Sequence, residues 1–216
     1  MDDDVDCSAV VLDVDGTLLD STPAIERAWR AWAAEYGVDP EVVLRDAHGR
    51  RSEDTIRSLL PADLVDRAVR RQHALEMEDL GDITALPGAR KLLARLAERH
   101  GPRWALATSL IRPMLVARMA AAGLPLPATV VTADVVTHGK PDPECYLLAA
   151  RKLDVAASEC LVIEDAPAGV IAAKAAGATV VAVTHTFPAA ALAPDADFVI
   201  NSLNQLQVTD HGLRIG

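Results

Sequence analysis

The chain lacks any excess of basic residues. Among its 216 residues, 21 Lys and Arg face 31 Asp and Glu, for a formal charge of −10. A nucleic-acid binder or a ligand of anionic membranes presents a basic face, so this balance argues against both. Long apolar runs are missing too, and none approaches the roughly 20 residues a membrane helix needs. The start, Met1-Asp2-Asp3-Asp4-Val5-Asp6, is acidic where a signal peptide has a basic segment followed by an apolar one. Cysteine is scarce, and Cys7, Cys145 and Cys160 are odd in number, scattered and without metal-ligand spacing. They are expected to be reduced, mostly buried small side chains. What these absences leave is an expected soluble, cytoplasmic, globular protein, a monomer or small homo-oligomer. Its length fits one domain, or one domain with a sizeable insertion.

Short apolar runs punctuate the chain. Ala9 to Val14 is interrupted by Asp13 and stopped by Asp15-Gly16-Thr17, which predicts a buried strand. Further strands are expected at Trp104–Ala107, Thr129–Val131, Cys160–Ile163, Thr179–Val183 and Phe198–Ile200. Between them Ala89–His100, Pro113–Ala122, Pro143–Lys152 and Ala168–Ala176 have helical character, and Gly123 and Gly177 stand where a helix-terminating glycine belongs. Strand and helix alternating in this way predict an α/β fold with a parallel sheet covered on both faces.

Residues 21–86 break that alternation. Thr22-Pro23 is suited to start a helix. Ile25, Ala28, Trp29, Trp32, Ala33 and Tyr36 then recur at helical spacing. Further helices fit Glu41–Asp46, Glu53–Leu60 and Ala62–Leu80, with no convincing strand. Three of the seven aromatic residues lie in the first of these helices, which predicts a small core of its own for this block. The expected organisation is a catalytic core of residues 1–20 and 87–216 with an all-helical cap of residues 21–86 inserted after the first strand.

Four strand–helix junctions carry reactive side chains. Asp13 and Asp15 end the first strand, where a period of two sends both the same way and Gly16 permits a sharp turn. Thr108-Ser109 follows the strand Trp104–Ala107, Lys140 stands in Gly139-Lys140-Pro141-Asp142-Pro143, and Glu164-Asp165 follows Cys160–Ile163. A parallel sheet gathers the carboxyl ends of its strands on one edge, where open α/β sheets bind ligands. Two acid pairs, a hydroxyl pair and a lysine together suit phosphoryl transfer: a carboxylate nucleophile, a site for a hard divalent cation, and donors for phosphate oxygens. The glycines of a dinucleotide site or P-loop are absent, since Asp134 and Pro141 stand where a P-loop needs Gly and Ser or Thr.

Asp13-Val14-Asp15-Gly16-Thr17-Leu18-Leu19-Asp20-Ser21, Ala107-Thr108-Ser109, Gly139-Lys140-Pro141-Asp142-Pro143-Glu144 and Glu164-Asp165-Ala166-Pro167-Ala168-Gly169 resemble, in order, the four motifs of the haloacid dehalogenase-like hydrolase superfamily. Thr22-Pro23-Ala24-Ile25-Glu26-Arg27-Ala28-Trp29, Glu35-Tyr36-Gly37-Val38-Asp39 and Ala47-His48-Gly49-Arg50 resemble its 2-deoxyglucose-6-phosphatase and glycerol-3-phosphatase branch. The resemblance implies a Rossmann-like core with a helical cap, and a Mg²⁺-dependent phosphatase acting on a small phosphorylated metabolite, a sugar or polyol phosphate. It implies Asp13 as nucleophile and Asp15 as proton donor and acceptor. Asp13, Asp165 and Glu164, with the backbone carbonyl of Asp15, are the implied metal ligands. Thr108 or Ser109 and Lys140 are implied to bind phosphate, with the choice between the hydroxyls open.

His48, Arg50 and Arg51 form the most distinctive polar turn of the cap and are candidates for contact with the leaving group. His73, His100, His138, His185 and His211 show no partner pattern and are expected at the surface or in packing, and Trp29, Trp32 and Tyr36 are expected in the cap core. A hexose-phosphate mutase of the β-phosphoglucomutase type is the near alternative, since it would use the same nucleophile and metal. A phospho-accepting signalling module is the remote one.

Overall fold

The structure, a computed structural model of the chain, describes residues 3–98 and 103–216. It opens with β1 (Asp3–Asp6) and β2 (Ala9–Leu12), followed by β3 (Leu19–Asp20). Four helices come next: α1 (Thr22–Tyr36), α2 (Pro40–Ala47), α3 (Ser52–Leu59) and α4 (Ala62–Glu78). β4 (Thr84–Ala85) leads into the alternating part: α5 (Ala89–Leu96), β5 (Arg103–Ala107), α6 (Arg112–Ala121), β6 (Val130–Val131), α7 (Glu144–Leu153), β7 (Cys160–Glu164), α8 (Pro167–Ala175), β8 (Thr179–Val183), α9 (Ala189–Leu192) and β9 (Phe198–Ile200). β10 (Leu206–Val208) and β11 (Gly212–Ile215) close the chain.

The main sheet has six parallel strands in the order β6-β5-β2-β7-β8-β9. β2 lies between β5 and β7, and all four of its residues are buried. Its apolar run is unbroken because both faces are covered. Val10 and Leu12 pack with Leu106, Leu161 and Ile163 on one side, whereas Ala9 and Val11 pack with Ala105, Ala107 and Val162 on the other. The carboxyl ends of β2, β5 and β7 therefore lie side by side, and each delivers its motif to one edge. No helix among the described residues is long and apolar enough to cross a membrane.

The helices α1–α4 pack around a separate cluster that includes Trp29, Trp32, Val43, Ile56 and Val65. Trp32 stacks on Tyr36 with ring centroids 4.8 Å apart, and its indole N–H donates to the Ala68 carbonyl at 3.0 Å, tying α1 to α4. The expected aromatic core of this block is thus present.

Several features differ from the sequence expectation. Asp3–Asp6 is not merely an acidic start but a strand paired antiparallel with β11, which also pairs with β10. Acidic residues hide the strand pattern, and Asp4 among them accepts from Arg214 at 2.7 Å. The block after the first strand is bracketed by a two-residue ribbon, β3 with β4, too short to leave a periodic signal. α1 begins at Thr22 rather than after it, with Ser21 at the cap position. The Ser21 hydroxyl does not cap the helix because it donates to Asp15 Oδ1 at 2.6 Å. α5 ends at Leu96, short of the expected terminus at His100, a residue that lies outside the described part of the chain. Cys145 and Cys160 are buried and Cys7 half-buried, all as free thiols.

Candidate active site

Asp13 leaves the end of β2 95% buried, its backbone N–H bonded to the Ile163 carbonyl at 3.0 Å. Lys140 reaches it from the loop before α7. The ammonium donates to Asp13 Oδ1 at 2.6 Å, to Glu164 Oε1 at 2.6 Å and to the Ala107 carbonyl at 3.2 Å, which uses all three of its N–H donors. Glu164 is fully buried and engaged at both oxygens. Oε1 also accepts from the Tyr146 hydroxyl at 2.6 Å, while Oε2 accepts from the backbone N–H groups of Asp165 and Ala166 at 3.0 and 3.2 Å. Gly169 makes room for it, since a Cβ there would lie 1.7 Å from Glu164 Oε1. Asp165 accepts from the Thr17 hydroxyl at 3.1 Å. Gly16, at φ 77°, turns the chain past Asp165, and a Cβ there would lie 2.0 Å from Asp165 Oδ2.

Three buried carboxylates thus crowd together, and one lysine bonds two of them, Asp13 and Glu164. Ligand atoms of Asp13, Glu164 and Asp165 lie within 4.8 Å of one another. Burial, with the charges of Glu164 and Asp15 added, pushes the Asp13 carboxyl up to about 7 against the opposing pull of Lys140. Burial and the neighbouring charges of Glu164 and Asp13 push Asp165 well above the usual carboxylate range. Burial alone would lower Lys140, but the carboxylates of Asp13 and Glu164 outweigh it and hold the ammonium firmly protonated. Such a surplus of buried negative charge, with oxygen donors alone, suits a hard divalent cation. The Asp15 side chain lies outside this carboxylate cluster and is held elsewhere: Ser21 donates to Oδ1, and Arg118 donates to Oδ2 at 2.7 Å.

Above this floor the helical block forms the roof of a cleft. Asp13, Asp15, Asp165, Thr108 and Ser109 line it from the core, and His48, Arg50, His73 and Glu76 line it from the block. Thr108 is buried, and its hydroxyl oxygen accepts from the Leu110 N–H at 3.2 Å, which leaves the hydroxyl proton to donate. Ser109 instead donates to the Gly49 carbonyl at 2.9 Å, fastening the His48–Arg50 turn to the core. His48 is held below the usual imidazole range by burial and meets Phe187 edge-on at 6.2 Å.

Two expectations are corrected here. Arg51 is not a cleft residue: its guanidinium is paired with Asp54 and donates to the Val136 and Thr137 carbonyls at 3.2 and 3.1 Å, so it clasps the block to the core. His73, expected at the surface or in packing, faces the cleft and is likewise held low by burial. The sequence reading assigned no role to Thr17, Ser21, Glu76, Arg118 or Tyr146. A signal existed for two of them. Arg118 recurs at helical spacing with the buried Met114 and Leu115, and Glu76 with the buried Val65, Ala68 and Gln72, so each is a charge on an apolar stripe.

A family model described as haloacid dehalogenase-like hydrolase matches residues 7–177. Hexitol phosphatase A of Escherichia coli (strain K12) is 44% identical over 207 residues, covering 94% of this chain and 94% of that protein. Glycerol-1-phosphate phosphohydrolase 2 of Saccharomyces cerevisiae is 33% identical, covering 97% and 85% respectively. A solved hydrolase from Pseudomonas syringae superposes with a TM-score of 0.82 at 27% identity, over 90% of this chain and 93% of that one.

Proposed function

The chain belongs to the haloacid dehalogenase-like hydrolase family, and from that membership we propose that it is a Mg²⁺-dependent phosphatase of small sugar or polyol monophosphates. Residues 21–86 act in this reading as a cap over a core of residues 1–20 and 87–216. The observation that carries the proposal is the buried cluster of Asp13, Lys140, Glu164 and Asp165 beneath a cleft roofed by the helical block.

In this scheme Asp13 attacks phosphorus in line, an aspartyl-phosphate forms, and the bond from phosphorus to the ester oxygen breaks. Asp15 gives its proton to the departing alkoxide. With both oxygens accepting hydrogen bonds from Ser21 and Arg118, Asp15 is then oriented to take a proton from the water that attacks phosphorus and frees Asp13. Thr108 is the better placed hydroxyl for a phosphate oxygen, because Ser109 is committed to Gly49. Lys140 neutralises the nucleophile's surroundings and keeps Asp13 aimed. Asp13, Asp165 and the Asp15 backbone carbonyl would hold Mg²⁺, with Glu164 completing the acidic set while anchoring Lys140. The ion supplies positive charge against the transferring phosphoryl group. The cap excludes water until substrate is bound. Phosphate release from a panel of about a hundred phosphorylated metabolites tests the reading, and formation of an isomeric sugar phosphate without release would point to the mutase instead.

Two further results are expected. A carboxyl whose folded pKa is about 7 against an ordinary 3.8 binds extra protons in the native state. Stability of the metal-free protein therefore falls as pH rises through that interval. Mg²⁺ competes with those protons, so adding it should raise Tm by several degrees more at pH 8 than at pH 5.5. Equal rises at the two pH values, from melts with and without Mg²⁺ at each, would contradict this. For the cap, Arg50→Ala should raise KM for a hexitol phosphate by about tenfold, the worth of ~1.4 kcal/mol in a charged hydrogen bond. The KM for p-nitrophenyl phosphate should change far less, and equal changes would reduce Arg50 to a general electrostatic role.

A further inference from the structure

Arg118 and Glu76 come from different parts of the chain, α6 of the core and α4 of the helical block, and meet beside Asp15. The guanidinium is 1% exposed and the Glu76 residue 5%. Arg118 donates through one terminal nitrogen to Asp15 Oδ2 at 2.7 Å and through the other to Glu76 Oε2. Its Nε–H is buried with no hydrogen-bond partner, a donor without an acceptor. The other Glu76 oxygen accepts from the Gln72 amide at 2.8 Å and the Ser52 hydroxyl at 3.4 Å. The buried cation at the roof of the cleft is therefore neutralised twice over.

Arg50 apart, the rest of the roof supplies little positive charge. His48 and His73 are held below the usual imidazole range by burial. Arg50 also lines the cleft, and its Nε–H is buried with no hydrogen-bond partner. A second phosphate entering the roof would meet the Glu76 carboxylate, or would have to draw Arg118 away and strand that carboxylate in a buried site. Hydroxyl groups meet neither obstacle. They can donate to a carboxylate oxygen and accept from a spare guanidinium or imidazole N–H.

Resting on the phosphatase reading, we propose that the Arg118–Glu76 pair is a selectivity element: it admits an uncharged, hydroxyl-bearing alcohol and rejects one that carries a second phosphate. Glu76 contacts the substrate's alcohol portion, and Arg118 holds both Glu76 and Asp15 in place.

The test compares two probes that differ by one phosphate, sorbitol 6-phosphate and sorbitol 1,6-bisphosphate. Their dissociation constants are measured calorimetrically with Mg²⁺ present, on Asp13→Asn protein so that neither is consumed. The bisphosphate should bind at least about tenfold more weakly than the monophosphate. Adding Glu76→Gln should erase that gap or invert it by freeing Arg118, while Glu76→Asp should keep it. Equal or tighter binding of the bisphosphate by protein with Glu76 intact would overturn the proposal, as would a gap unmoved by Glu76→Gln. Should Glu76→Gln fail to fold, the ratio with Glu76 intact still decides. Phosphate release by the wild-type protein is read separately. Its absence from every monophosphate would strike the phosphatase reading, whereas the binding ratio judges the selectivity element alone.

Discussion

Asp13→Asn should lower phosphate release by at least about 10⁴-fold, the scale on which loss of a covalent nucleophile acts. The amide is nearly isosteric with the carboxylate, so the loss would be chemical and the fold would remain. Removing one of three buried carboxylates around a single lysine also relieves repulsion, because burial and like charge push the Asp13 and Asp165 carboxyls up in the wild type. The variant should accordingly melt no more than a few degrees below the wild type in metal-free buffer. No phosphoenzyme should be trapped from it under conditions that label the wild type. Substantial turnover in Asp13→Asn, measured by phosphate release, would remove Asp13 as the nucleophile.

Lys140→Met should damage both stability and rate. Lys140 is 2% exposed and bonded to Asp13 and Glu164 at 2.6 Å each. Replacing it with an apolar chain of similar length strands two carboxylates that the fold buries. Breaking a buried pair from one side costs about 3–5 kcal/mol, which for a chain of this size lowers Tm by about 6–20 °C. The deficit should be larger at pH 8 than at pH 5, since the stranded carboxyls can take up protons at the lower pH and lose that relief as pH rises. Phosphate release should fall by about 10²-fold or more through loss of the fixed positive charge. Melting curves at the two pH values and a phosphate assay check both parts. A Tm equal to that of the wild type would show that Lys140 does not compensate the cluster.

Much of the site was legible because it obeys a local rule. Asp13, Thr108 and Asp165 each lie just beyond an apolar run, and a parallel sheet brings such strand ends to one edge without further information. Lys140 was legible through the loop that carries it, though its pairing with Glu164 depends on how α7 docks against β7. The contact between Arg118 and Glu76 could not be read the same way. The two residues are 42 positions apart, and only the docking of α4 on α6 brings them together. Each was detectable singly, as a charge on an apolar helical stripe, but the stripe does not say what the charge meets. The strand Asp3–Asp6 escaped notice because three of its four residues are exposed and acidic. Its order comes from pairing with β11 at the far end of the chain, which leaves no trace in local periodicity.

The two clasps between block and core follow from the same distinction. Gly49 and Arg51 lie in the polar turn that looked like a substrate loop, yet a backbone carbonyl of one and the guanidinium of the other hold the block down. His48 and Arg50 remain side chains of that turn that line the cleft. The pairing of Arg118 with Glu76 also bears on the choice between hydrolase and mutase. A mutase must hold a bisphosphate while the phosphoryl group changes position, and a buried carboxylate in the roof works against that.

The reading requires that the phosphoryl group of a sugar or polyol monophosphate pass to water with cleavage of the bond from phosphorus to the ester oxygen. The decisive measurement is turnover of a hexitol phosphate with Mg²⁺ in ¹⁸O-labelled water, with the inorganic phosphate analysed by mass. Stoichiometric phosphate release is expected, with one solvent oxygen in each phosphate and no label in the free hexitol. An isomeric sugar phosphate formed without solvent oxygen, or label found in the alcohol, would contradict it.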